Sequence, residues 1–160
     1  MTLSVMEIRA IANAVVESGA LSQAGLLSRP RALPGLQVLL VEDDVADAYL
    51  IRRALAENPR VGDVVLAEDG EEALDLVDRR RVLPDLALVD LRMPRKDGLA
   101  FLKDLAARPA AHFPCAVLTS SKSGRDEMRA KSRGAIEFVT KPKAAPELKA
   151  ALDRLIAEVC

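Results

Sequence analysis

Five short apolar runs, each broken off by polar residues and each followed by a stretch with helical spacing, constrain this chain more than any other feature. The runs are Val38–Val41, Val61–Ala67, Leu86–Val89, Pro114–Leu118 and Ala135–Val139. Leu86, Ala87, Leu88 and Val89 show almost no alternation of apolar and polar residues, the pattern of a strand buried on both faces of a parallel sheet. The intervening stretches place Leu50, Ile51, Ala54 and Leu55 inward before a stop at Asn58-Pro59, then Ala73, Leu74 and Val77 on one side of a helix from Glu71 to about Arg80. Leu99, Leu102 and Leu105 follow Asp97-Gly98, a polar helix runs from about Gly124 to Arg133, and Leu148, Ala151, Leu152, Leu155 and Val159 mark a last helix from Pro146 to Val159. Strand and helix alternate five times. This predicts an α/β fold with a parallel sheet covered on both faces.

Residues 1–34 read differently. Ser4-Val-Met-Glu7 has capping-box spacing, and Met6, Ile8, Ile11, Ala12, Val15 and Val16 continue at helical intervals to Ser18-Gly19. A second helical piece is expected from about Ala20 to Leu27, before Pro30, Pro34 and Gly35 mark a linker. The division expected is an N-terminal helical extension and linker, 1–34, and one domain, 35–160. The front helix either packs on that domain or pairs through its apolar stripe with another copy, since an isolated helix of this length is marginal.

Composition excludes several classes of partner. The 160 residues carry a formal net charge of -1, with no basic block and 2% aromatic residues, which argues against direct nucleic-acid binding. Glu7 and Arg9 interrupt the first apolar stretch, so neither a membrane span nor a secretory signal is expected. Cys115 and Cys160 form no metal spacing and no disulfide framework, which fits a reducing cytoplasm. Cys115 reads as a small core residue.

The polar residues that end the strands suggest both the sheet order and the chemistry. Strands one, three, four and five end in Glu42 and Asp43, in Asp90, in Thr119 and in Lys141, whereas strand two ends in nothing comparable. A flavodoxin-like order of 2-1-3-4-5 would set these four ends side by side at the crevice where such sheets bind ligands. Asp43 and Asp90 brought close would repel, and a hard divalent cation held through oxygen, typically Mg²⁺, would relieve them. A carboxylate beside such an ion can attack phosphorus, with the metal and Lys141 neutralising charge and the Thr119 hydroxyl donating to a phosphoryl oxygen. Each residue also has an ordinary structural explanation: Asp90 as a helix cap, Lys141 as an exposed charge, Thr119 as a turn former, Glu42-Asp43-Asp44 as an acidic helix start. Four on successive strand ends make coincidence a poorer account than any one alone.

Four motifs in order carry a resemblance: Leu39-Leu-Val-Glu42-Asp43-Asp44, Leu88-Val-Asp90-Leu-Arg-Met-Pro94-Arg-Lys-Asp97-Gly98, Leu118-Thr119-Ser120 and Gly134-Ala-Ile-Glu-Phe138-Val-Thr-Lys141-Pro142. From about Leu36 to Val159 the chain resembles a receiver domain of two-component response regulators. The resemblance implies Asp90 as phosphoacceptor and a Mg²⁺ site of Asp43, Asp90 and the backbone carbonyl of Arg92, with Glu42 acting through bound water. It implies Thr119 and Lys141 on the phosphoryl group, a cis Lys141-Pro142 bond, and Phe138 as the aromatic that swings inward when Thr119 moves. Glu42-Asp-Asp-Val-Ala-Asp47-Ala-Tyr-Leu50 and Leu118-Thr-Ser-Ser121 are also similar to the single-domain regulators that accompany bacterial phytochromes. That implies a light-sensing histidine kinase, or a phosphotransfer protein, as donor, and a homodimer through the fourth helix, fifth strand and fifth helix.

The expected function is thus a stand-alone phosphorylation-controlled switch, not an enzyme turning over a metabolite, because the chain ends about one helix after Lys141. Two alternatives remain open. One is a receiver that is never phosphorylated and serves as a dimeric scaffold. The other is a phosphohydrolase with an Asp nucleophile, which usually carries a second Asp two residues on, where this chain has Arg92.

Overall fold

The computed structural model describes residues 35–108 and 111–160, and the expectations for the front helix, the second helical piece and the linker lie outside them. Gly35–Cys160 forms one compact unit. The elements run β1 (Leu36–Val41), α1 (Val45–Ala56), β2 (Val61–Ala67), α2 (Gly70–Asp78), β3 (Leu86–Val89), α3 (Gly98–Ala106), β4 (Cys115–Thr119), α4 (Gly124–Ser132), β5 (Ala135–Thr140) and α5 (Ala145–Val159). All pairings are parallel, in the order β2-β1-β3-β4-β5. The expected doubly wound, flavodoxin-like sheet is the one observed.

The central strands are buried on both sides because their residues feed two cores in alternation. Leu39, Val41, Ala87, Val89, Cys115 and Val117 join one cluster with Ala73, Leu74, Phe101, Leu102, Leu105 and Ala130 from α2, α3 and α4. Val38, Leu40, Leu86, Leu88, Ala116 and Leu118 join the other, with Ala48, Ile51, Leu55, Leu148, Leu152, Leu155 and Ile156 from α1 and α5. Each fully buried Leu, Ile, Val or Phe contributes about 1.5–3 kcal/mol of transfer free energy, so both cores stabilise the strands that carry the polar ends. Burial pushes the Cys115 thiol up to about 12, as suits the core residue it was read to be.

Four of the five helix starts among the described residues are set by short polar side chains in the turns that follow the strands. Asp44 accepts from the Asp47 amide at 2.8 Å, Asp97 from Ala100 at 2.8 Å and Ser123 from Asp126 at 3.4 Å. Asp69 caps α2 by accepting from the amides of Glu71 and Glu72, each at 2.9 Å. α5 begins with Pro146 in its first turn instead of a side-chain cap.

Some inward assignments change. Leu50 is 40% exposed, because the buried face of α1 is centred on Ala48, Ile51 and Leu55 and Leu50 lies beyond its edge at Ala54. In α3 the fully buried residue is Phe101, and Leu99 is only half-buried. In α5, Ile156 is buried while Ala151 and Val159 are half-buried. No helix among the described residues is long and apolar enough to cross a membrane.

Asn58, just past α1, is a buried polar tie between elements. Its amide donates to Asp153 on α5 at 2.7 Å and its carbonyl oxygen accepts from the Arg60 amide at 2.9 Å. A hydrogen bond to a charged group is worth ~1.5–3 kcal/mol, so Asn58→Ala is expected to cost about 2 kcal/mol. Urea unfolding, read as a lower midpoint at unchanged slope, measures it.

Candidate functional site

The parallel sheet delivers the ends of β1, β3, β4 and β5 to one edge. Glu42 follows β1, and its amide donates to the Ala67 carbonyl at 3.0 Å; Asp90 follows β3, and its amide donates to the Val41 carbonyl at 3.0 Å. Both carboxylates are held by an extension of the sheet and are buried, whereas Asp43 is exposed. Glu42, Asp43 and Asp90 each offer an oxygen, all within 4.8 Å of one another. The Oδ1 atom of Asp90 accepts from the Leu91 amide at 2.7 Å, which leaves Oδ2 turned toward Lys141.

Lys141 reaches this cluster from the end of β5. Its Nζ lies 2.5 Å from Glu42 Oε2, 2.9 Å from Asp47 Oδ2 and 3.3 Å from Asp90 Oδ2, with the side chain 10% exposed. Burial alone would lower its pKa. The hydrogen bonds to Glu42 and Asp47 and the charges of Asp90 and Glu42 outweigh that and hold the ammonium above its ordinary value. Burial pushes the Glu42 carboxyl up to about 7, with the Asp90 charge adding to it, against the hydrogen bonds from Lys141 and the Asp44 amide.

Thr119 ends β4 fully buried; its hydroxyl accepts from the Ser121 amide at 3.3 Å and its carbonyl from the Lys141 amide at 2.7 Å. Arg92 is exposed in the loop after Asp90. Phe138, half-buried on β5, packs against the α2–α4 side of the core and lines a groove with Arg154, Leu155 and Glu158 of α5. The expected cis Lys141-Pro142 bond is not found: every described peptide bond is trans. Trans is the lower-energy isomer of an X-Pro bond by about 0.5–1 kcal/mol, and the ammonium reaches its acids from that geometry.

Gly98 is part of this architecture. Its amide donates to the Leu91 carbonyl at 3.0 Å, and a Cβ there would sit 2.2 Å from the carbonyl oxygen of Asp90. The start of α3 therefore lies directly against the main chain that carries the acid.

Two parts of the site were not expected from sequence. Asp47 is a third carboxylate on Lys141, and an acid in the first turn of a helix that starts at a strand end was the available signal. Asp69, two residues past β2, is a buried acid where strand two was thought to offer nothing. Its proximity to Arg95 is a long-range contact that no local pattern announces.

Three carboxylates, Glu42, Asp47 and Asp90, thus contact the Lys141 ammonium, and a fourth, Asp43, lies within 4.8 Å of Glu42 and Asp90. Two unit charges at 4.8 Å repel by roughly 3 kcal/mol at an effective dielectric constant of about 20. Such an excess of hard oxygen donors fits a divalent cation of the Mg²⁺ or Mn²⁺ kind.

Comparison with known proteins agrees. The model of the "Response regulator receiver domain" family matches residues 38–153. The response regulator MprA of Mycobacterium sp. (strain KMS) is 36% identical over 121 residues, which is 76% of this chain and 50% of that protein; the Mycobacterium leprae MprA is equally similar. The chain spans about half the length of the curated relatives it matches. Among solved structures, the phosphorylated cyanobacterial phytochrome response regulator RcpA superimposes with a TM-score of 0.73 at 28% identity, covering 78% of this chain and 94% of that one. The Mn²⁺-bound response regulator Rcp1 gives 0.68 at 25% identity, covering 76% and 92%, and RPA3017, from red light signalling in R. palustris, gives 0.67 at 27%, covering 75% and 90%. With the sheet order, the acidic pocket and the matched span all in agreement, the chain belongs to the receiver domain family of two-component response regulators.

Proposed function

We propose that residues 35–160 act as a phosphorylation-controlled switch in which Asp90 accepts a phosphoryl group from a sensor histidine kinase or a phosphotransfer protein. A carboxylate oxygen of Asp90 would form the new bond to phosphorus as the bond from phosphorus to the donor nitrogen breaks, its electron pair leaving with that nitrogen. The observation that carries this reading is the convergence of Glu42, Asp47 and Asp90 on one ammonium, with Asp43 within 4.8 Å of Glu42 and Asp90. Lys141, already within hydrogen-bond reach of Asp90, can follow the incoming negative charge, and the buried Thr119 hydroxyl stands at the adjoining strand end. Asp43 and Asp90, with Glu42 and the Arg92 carbonyl, would hold Mg²⁺. When bound, that ion would neutralise the acids and the phosphoryl oxygens.

Phosphorylation adds nearly two negative charges to a site that already holds an excess, enough to bias a two-state arrangement of Thr119, Lys141 and Phe138. No metabolite is turned over; the output is a change of surface. The groove of Phe138, Arg154 and Glu158 between β5 and α5 is compatible with a homodimer through that side. Likeness to RcpA and RPA3017 favours a phytochrome-type kinase as donor.

Acetyl phosphate with Mg²⁺ tests the proposal. Labelling is expected in the intact chain and should disappear with EDTA. Asp43→Asn should cut it by about 10–100-fold, the scale of losses around metal ligands. A chain that neither acetyl phosphate nor beryllofluoride perturbs would be a scaffolding receiver, and sustained phosphate release from a generic phosphomonoester would make it a hydrolase.

A further inference from the structure

We propose that Asp69 and Arg95 are positioning residues whose ion pair holds the β3–α3 loop in the form that completes the divalent-cation site. The inference rests on the reading of Glu42, Asp43 and Asp90 as that site, and it adds a support from a part of the fold with no chemistry of its own.

The loop Leu91–Asp97 begins at the residue after Asp90 and contains Arg92, whose carbonyl is the proposed ligand. Its near end is pinned by the bond from the Gly98 amide to Leu91, and Asp97 caps α3. In its middle Met93 packs against the core and Lys96 pairs with Asp104 of α3, and Arg95 lies between them. There Arg95 adopts a left-handed backbone with φ of 59°, a conformation that costs a non-glycine residue about 1–2 kcal/mol. Something outside the loop must hold it.

That support is the β2–α2 turn. The Asp69 side chain is 2% exposed and its Oδ1 is committed to the amides of Glu71 and Glu72, so its Oδ2 faces the loop in one fixed orientation. Arg95 donates its Nε to that oxygen at 2.5 Å, and its terminal nitrogen contacts the same atom. One residue further along each segment, the Gly70 amide donates to the Lys96 carbonyl at 3.0 Å. The segments approach so closely that a Cβ on Gly70 would lie 2.9 Å from that carbonyl oxygen and 2.9 Å from Phe101 Cβ. Lys96 is in turn paired with Asp104 of α3.

Arg95 is 62% exposed, but its partner is buried and already oriented, so ordering the pair costs less entropy than ordering two mobile surface side chains. Burial alone would raise the Asp69 carboxyl, but the Glu72 amide, Arg95 and the Glu71 amide together hold it below the usual carboxylate range. The pair therefore holds Asp69 as the anion. The pair differs from a simple helix cap in that its second partner lies in the loop beside Asp90, on the far side of a backbone bend.

Mn²⁺ titration of the full-length chain by calorimetry tests this, with thermal unfolding in EDTA measured alongside. Arg95→Ala leaves the α2 cap intact, and Asp69→Asn keeps an oxygen for the cap while removing the charge. Each is expected to weaken Mn²⁺ binding by about tenfold, the low end of what outer-shell partners are worth. The double variant should be no weaker than the worse single, and Arg95→Lys should recover much of the loss. Unfolding of Arg95→Ala in EDTA should stay close to that of the parent. Affinities within twofold of the parent for both single variants, beside a large loss in Asp43→Asn, would overturn the positioning role and leave the cation site standing. An Arg95→Ala effect that persists in full on top of Asp69→Asn would also overturn it. If the parent itself binds no Mn²⁺, the cation reading falls and takes this inference with it.

Discussion

Asp90→Asn is expected to reduce phosphoryl labelling to background while leaving the fold standing. The asparagine oxygen can still accept from the Leu91 amide, which Asp90 Oδ1 now does at 2.7 Å. What is lost is the negatively charged oxygen facing Lys141, the longest of the three contacts of that ammonium at 3.3 Å. Lys141 keeps Glu42 at 2.5 Å and Asp47 at 2.9 Å, so it is not left as an unpaired buried charge. The variant also relieves repulsion with Asp43 and Glu42, so its unfolding free energy should stay within about 1 kcal/mol of the parent, the net worth of one ordinary hydrogen bond. Phosphotransfer with radiolabelled donor, paired with circular dichroism melting, separates the two quantities. Label at parental levels in a folded Asp90→Asn chain would remove the nucleophile assignment.

Gly98→Ala should do the reverse, damaging the scaffold first and the chemistry as a consequence. The added methyl would meet the Asp90 carbonyl oxygen at 2.2 Å and the Leu91 Cα at 2.9 Å, both main-chain atoms with no rotamer to escape into. Overpacking of this kind costs about 1–3 kcal/mol and occasionally more; with backbone on both sides, about 3 kcal/mol is expected. At ~3–4 °C per kcal/mol for a chain of this size, the melting temperature should fall by roughly 10 °C. Because relief requires α3 to move away from the residue that carries the carboxylate, Mn²⁺ affinity should drop in parallel. A variant with unchanged melting temperature would mean that the strand end and helix start are not pressed together as described.

Strand-level features were readable because their causes are local. Leu86–Val89 is doubly buried, and a run without alternation says so; β2, an edge strand of mostly intermediate burial, was bounded as observed because Asn58-Pro59 and Glu68-Asp69-Gly70 flank it. The polar residues at strand ends were equally visible, since each closes an apolar run. Helix faces were less so. Leu50 sits beside Ile51 in a run where either could point inward, and only the contact of α1 with both the sheet and α5 selects Ala48, Ile51 and Leu55. Phe101 was passed over in favour of a Leu pattern that spans the same turn. Least accessible were the long-range pairs: Asp47 with Lys141, 94 positions apart, and Asp69 with Arg95, 26 apart. Charged residues of that sort look like solvated surface until the topology brings their elements together.

One main-chain bond at the site carries a mechanical consequence. Because the Lys141 amide closes the last rung of the sheet on the carbonyl of Thr119 at 2.7 Å, the two strand termini travel as one piece. A pull on the lysine head group is thereby passed to the backbone of its neighbour without any side chain relaying it. Since β5 is the outermost strand on that side, the strain would surface along a flank open to other molecules.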